Sequence, residues 1–332
     1  LLITILALAL GSPLGAMQSK LSRDLETAPD TEKINVIIQF EQPLTTADEH
    51  AVSQRGGKIE KKLPSIRGIA ANAARARQYG WICKGVGVAF LDSRIIDNED
   101  LQISDSSTSR VVYRESFNGL DPKDSYGHGT HVAGIVAGNG KNSTGANFTK
   151  TFRGLAPGVH LINLKVLGDN GSGSDSSVIA GIQRAIELKN TYNIRVMNLS
   201  LGRPVFESYT VDPLCKAVEA AWRAGIVVVV AAGNNGRDNS RGTQGYATIT
   251  SPGNSPYVIT VGGMKTMGTV SRHDDQIASY SAKGPTLLDH IAKPDLVAPG
   301  NMVVAPLLKN TALFGSYPGN EVARTYYTTS TS

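Results

Sequence analysis

Four short apolar runs constrain this chain more than any other feature: residues 86–91, 160–166, 194–199 and 226–232. None of them alternates cleanly between apolar and polar residues, and helical patterns lie between them. A strand that is apolar on both sides needs cover on both faces, and helical crossovers supply that cover in a parallel sheet. The expected fold is therefore α/β, a doubly wound parallel sheet in three layers. Residues 175–189 place Val178, Ile182 and Ile186 on one stripe, with Asp175 as the expected N-cap. Residues 211–224 carry Asp212 as N-cap, Pro213 at the first helical position and Gly225 just past the end, the asymmetry a helix favours.

Ahead of this region, residues 34–72 read as a small α+β module. A β-branched run at 34–40, helix formers at 46–55, and further strands at 58–63 and 66–71 make up the unit. Residues 17–33 are polar and read as a linker. Residues 1–16, LLITILALALGSPLGA, read as part of a secretory signal whose initiator Met and basic start are missing. The apolar run is too short for a membrane span, so no stable membrane association is expected. The net charge is only +5 and no Lys/Arg run is dense, which argues against a nucleic-acid partner. Two cysteines, Cys83 and Cys215, cannot build a disulfide framework and are expected as buried free thiols.

Three residues carry chemistry. Asp92 ends the first apolar run, and functional groups collect at the carboxyl ends of strands in open α/β sheets; a strand-end Asp also serves as a cap or turn former. His128 lies in the segment GHGTHVAGIVAG, at the start of a small-residue helix where a ring can act as general base. His131 is an alternative, and so is a metal pair of both histidines, although no further ligand is near in sequence. Gly134 and Gly138, one turn apart, imply that this helix packs very closely on a neighbour. Asn234, in VVVVAAGNNG, places a side-chain amide where it can donate to a developing oxyanion. Turn formation is its other reading, which Asn235-Gly236 satisfies without it.

Taken together and in this order, the segments VAFLDS, GHGTHVAGIVAG, NLSLG, VVVVAAGNNG, SPGNSPYVITVGG, ASYSAKGP and KPDLVAPG resemble the subtilisin-like (subtilase) family of serine proteases. The resemblance runs over roughly residues 34–332 and implies a serine endopeptidase with an Asp-His-Ser triad. Asp92 would orient His128, His128 would act as the base, and Asn234 would hold the oxyanion. Gly171-Ser172-Gly173 and Ser200-Leu201-Gly202 look like the two segments that pair with the substrate backbone. Ser332 aligns with the nucleophile of the family's Gly-Thr-Ser-Met-Ala motif, with Ser330 where the family has Gly. The helix that the serine opens would lie beyond it. Residues 80–332 then form the catalytic domain, C-terminally incomplete, and 34–72 an inhibitory propeptide, the protein's own intramolecular partner. The implied protein is secreted, acts on proteins or peptides and requires no cofactor. Calcium as a structural ion is common in the family, and Asp100 is the one residue that hints at a ligand.

Two departures stand out: Arg94 replaces the family's Gly after Asp-Ser, and the usual processing linker after the propeptide is absent. A non-catalytic subtilase homologue that binds peptides is the competing reading. A nucleotide-binding protein is a third, but Gly168 to Gly173 lacks the G-x-G-x-x-G spacing and the downstream acid.

Overall fold

The computed structural model describes residues 82–329 except 105, 120–122 and 270–272, together with the backbone of three short strands ahead of them. The signal, the linker, the 46–55 helix and Ser330 to Ser332 fall outside the described residues. The chain divides into two units, Leu1–Trp81 and Ile82–Ser332. In the first, β1 (Ile38–Gln39), β2 (Lys62–Leu63) and β3 (Gly68–Ile69) form an antiparallel sheet with β3 in the middle. Each lies in a stretch whose sequence reads as strand.

The second unit is built on a sheet whose parallel strands run in the order β5-β6-β4-β7-β8-β9. These are β4 (Gly87–Asp92), β5 (Val111–Ser116), β6 (His160–Lys165), β7 (Ile194–Leu199), β8 (Val227–Ala231) and β9 (Ile259–Lys265). On β9, β10 (Gln276–Ile277) adds antiparallel and β11 (Leu296–Pro299) parallel. The helices are α1 (His128–Ala137), α2 (Asp175–Glu187), α3 (Pro213–Arg223) and the short α4 (Ala312–Ser316).

The four apolar runs coincide with β4, β6, β7 and β8 to within a residue, and the structure shows why they do not alternate. Every residue of β4 is buried. Ala89 and Leu91 pack with Val178, Ile182 and Ala185 of α2 and with Leu214, Val218 and Ala221 of α3. Val88 and Phe90 belong to a second cluster with Ala133 and Ala137 of α1. Burying Phe90 and Leu91 fully is worth about 1.5–3 kcal/mol each, so the strand is held from both faces.

The helix ends mostly follow the sequence. Asp212 Oδ1 caps α3, accepting from Leu214 N at 2.9 Å and Cys215 N at 3.4 Å, and Gly225 ends the helix at φ 80°. The cap of α2 differs from expectation. Ser174, in extended backbone, accepts from Ser177 N, and Asp175 is the first helical residue. The Asp175 carboxylate is drawn instead to Arg203 Nε at 2.8 Å. The cysteines differ too: both are free, but only Cys215 is buried. Burial pushes its thiol up to about 12, which leaves it unreactive.

Strand order places the reactive edge. From β4 the chain moves to β5, returns to β6 between them, and then continues to β7 on the other side of β4. This reversal opens a crevice at the carboxyl end of β4. The small residues of α1 let that helix lie close to its neighbours: a Cβ on Gly134 would sit 2.1 Å from Pro306 Cδ. Gly134→Ala is expected to destabilise the fold by roughly 1–3 kcal/mol through overpacking, read as a lower urea midpoint at unchanged m-value.

Candidate active site

Asp92 is the last residue of β4 and His128 the first of α1, and the fold brings their side chains together. His128 Nδ1 lies 2.8 Å from Asp92 Oδ1 and 2.9 Å from Oδ2. Asp92 is buried, whereas the imidazole is partly exposed. With Nδ1 donating to the carboxylate, Nε2 is left as the acceptor on the cleft side. Burial disfavours the imidazolium, but the Asp92 hydrogen bond and charge, with the charge of Asp124, outweigh it and hold the His128 pKa above its ordinary value.

His131 has no such partner. Burial holds its pKa low, against a hydrogen bond to the Pro306 carbonyl, and the neighbouring His128 lowers it further. Of the two histidines, His128 is the one that meets Asp92. Among the described residues no group of three or more His, Cys, Asp and Glu side chains could hold a metal.

A cleft of about 460 Å³ runs past His128. Asn234, beyond the end of β8, sits on its wall. Gly171, Ser172 and Gly173 follow β6 on one side, and Ser200, Leu201 and Gly202 follow β7 on the other. Every described site residue expected from the sequence thus lines this cleft or, like Asp92, supports it. Ser332 lies outside the described residues.

Comparison with known proteins places this geometry in a family. The family model described as the Subtilase family, peptidase S8, matches residues 83–332. The chain belongs to the subtilase family. Serine protease AprX of Bacillus subtilis (strain 168) is 38% identical over 252 residues, which are 74% of this chain and 53% of AprX. The chain thus spans about half the length of that relative. Subtilisin DY of Bacillus licheniformis is 34% identical, covering 72% of this chain and 73% of its own. Among solved structures, that of sphericase is similar at a TM-score of 0.52 and 26% identity, over 68% of this chain and 69% of its own. The subtilase fold and the three-layer α/β expectation agree.

Several cleft residues escaped the sequence reading. Tyr126 stands over Gly171, where a Cβ would meet its Cζ at 2.3 Å, and its ring centroid is 6.2 Å from that of His128. Arg203 joins Asp175 to the buried Asp212, with Nη2 to Asp212 Oδ1 at 2.9 Å. That pairing links the N-termini of α2 and α3 beneath the cleft. The position of Tyr126 directly before GHG was the available signal for it; Arg203 gave none. Arg94 adopts φ 146°, a conformation that glycine favours.

Asp100, the one residue that hints at a calcium ligand, is engaged within the fold. Asp100 is buried, and its Oδ1 accepts from Asn142 N at 2.8 Å. Nearby carbonyl oxygens are engaged as well. Asn139 Nδ2 donates to Glu99 and Gln102, and Arg110 donates to Asp100, Gln102, Val159 and Ala137.

The acid–base behaviour of the pair can be tested. The Asp92 hydrogen bond and charge help His128 to retain its proton. In an NMR titration, His128 should titrate above the ordinary histidine value of 6.5, and Asp92→Asn should lower that midpoint. The paired imidazolium stabilises the fold at low pH, and this contribution fades as pH rises through the folded-state value.

Proposed function

We propose that this chain carries the catalytic domain of a secreted serine endopeptidase. The observation that carries the proposal is the Asp92–His128 pair opening on one cleft with Asn234. In this reading Ser332 is the nucleophile. Its Oγ attacks the peptide carbonyl carbon while His128 Nε2 takes the hydroxyl proton. The C–O bond forms and the carbonyl becomes an oxyanion that the Asn234 amide holds. Collapse breaks the C–N bond, and the same proton passes from Nε2 to the leaving amine. Water, activated by His128, then hydrolyses the acyl-enzyme and restores the serine. Gly171 to Gly173 and Ser200 to Gly202 pair with substrate backbone from either side, a mode of binding that tolerates varied side chains.

Proteins and peptides are the proposed substrates, with no cofactor in the reaction. Secretion rests on the apolar start of the chain, residues 1–16. Among the described residues no helix is long and apolar enough to cross a membrane. Residues 34–72 are proposed as the propeptide. Added as a separate peptide, this segment should inhibit casein hydrolysis by the processed enzyme; no inhibition at high concentration would make it a remnant.

The enzyme should hydrolyse casein and be labelled at Ser332 by a serine-directed phosphonate. Asn234→Ala should lower kcat by about 10²–10³ with little change in KM, the cost known for such a donor in subtilisin itself. Neither cleavage nor labelling in the full-length protein would turn the reading to a peptide-binding homologue.

A further inference from the structure

The segment before α1 holds a buried carboxylate that the reaction above does not use. Asp124 is 3% exposed. Its Oδ1 accepts from Ser93 Oγ at 2.8 Å and Gly127 N at 2.9 Å. Its Oδ2 accepts from Thr130 Oγ1 at 2.7 Å and Thr130 N at 3.1 Å. Ser93 Oγ in turn accepts from Gly129 N at 2.9 Å, and Ser93 N donates to Asp92 Oδ1 at 2.7 Å. Thr130 Oγ1 accepts from Ile96 N at 3.0 Å.

We infer that Asp124 is a positioning residue for catalysis, fixing His128 against Asp92 by binding both the first turn of α1 and the turn that follows β4. The residues on either side of His128, Gly127 and Gly129, have their N–H groups tied to Asp124 and Ser93. The cap residue itself, Gly127, has no side chain to cap with, and its φ of 92° is a glycine conformation. Asp124 therefore caps the helix from outside. Without it, two buried hydroxyls and two backbone N–H groups lose their acceptor, and the ring-bearing turn is free to move relative to the carboxylate. Small misplacements of a catalytic group are costly, since a shift of about 1 Å costs on the order of 10² in rate.

Asp124 also acts on His128 through its charge. The groups facing the imidazole are Asp92 at the end of β4, Asp124, Tyr126 on the cleft wall and His131 on α1. The two carboxylates favour the imidazolium, while burial and the charge of His128 itself hold the His131 pKa low. Removing the Asp124 charge then lowers the pH at which His128 becomes a free base.

This inference rests on His128 being the general base, and the experiment separates the two. Asp124→Asn keeps the shape, removes the charge and replaces an acceptor oxygen with an amide. Ser93→Ala breaks the link to the β4 turn and leaves Asp124 in place. Both are measured in the full-length protein beside the parent, for kcat and KM on a peptide substrate, for the His128 titration by NMR, and for Tm. Asp124→Asn is expected to lower kcat by about tenfold or more at nearly constant KM and to move the His128 midpoint to lower pH. Ser93→Ala should lower kcat at constant KM with a smaller shift of the midpoint. The inference is overturned if activity falls only in proportion to lost folded protein, with midpoint and kcat per folded molecule unchanged, or if KM alone moves. If the parent cleaves nothing, the general-base reading fails, and the NMR midpoint still decides whether Asp124 acts on His128. If Asp124→Asn does not fold, Ser93→Ala decides by the same two readouts.

Discussion

The carbonyl oxygen of Arg94 lies 2.0 Å from where a side-chain carbon on Gly129 would be. This backbone-to-backbone approach is the constraint on which the site depends. It lets the first turn of α1 come down onto the turn after β4, so that a residue on the helix and a residue on the strand reach each other across 2.8 Å. Any side chain at position 129 would force the two elements apart, and the His128–Asp92 bond is the first contact that would stretch. Glycine on one side of His128 serves close approach, and on the other, at Gly127, it serves a positive φ.

The same constraint explains the form of the sheet around it. The β4 strand must carry Asp92 to the edge while α1 covers one face and α2 with α3 the other, so both of its faces are apolar. The loops after β6 and β7 leave the same edge and become the walls of the cleft. Beneath them Arg203, held by Asp175 and Asp212, ties together the starts of the two helices on the covered side. Arg203 is partly buried between two carboxylates, a geometry in which charge-assisted bonds are strong.

Much of this was legible because it depends on local pattern. The runs that became β4, β6, β7 and β8 are long enough and apolar enough to read, and Pro213 with Gly225 marks α3 at both ends. The edge strand β5 was not read: residues 111–116 are partly exposed and carry Tyr113, Arg114 and Glu115, so no apolar run announces them. Strands β9 to β11 lie in a loop-rich region where pairing with β9, rather than composition, defines the strand. Asp92, His128 and Asn234, which the structure gathers at one cleft, stood out because each sits at or just beyond a strand or helix end within a recognisable segment. Asp124 and Arg203 were not, because their importance arises from what they meet in space. Nothing in the string DSYGHGT says that Asp124 will face Ser93, a residue far back in sequence. The exposure of Cys83 went unread for the same reason, since a thiol's burial is set by distant packing.

Helix α1 shows how such distant partners complete a motif. Its sequence, HGTHVAGIVA, holds glycine twice and four β-branched residues besides alanine and histidine, and glycine and β-branched residues favour helix poorly. It also has no acidic residue in its first turn and no basic one in its last, so it lacks local compensation for its dipole. The fold supplies both charges from elsewhere. Asp124 binds the N–H groups at its start, and Arg110 donates to the Ala137 carbonyl at its end. Burial lowers the Arg110 pKa to about 10, opposed by Asp100, so the guanidinium stays charged at neutral pH. A carboxylate at the amino end and a cation at the carboxyl end both lower the energy of the helix. A helix chosen for small residues, so that it can press against Arg94 and Pro306, is thereby held by charges it does not itself carry.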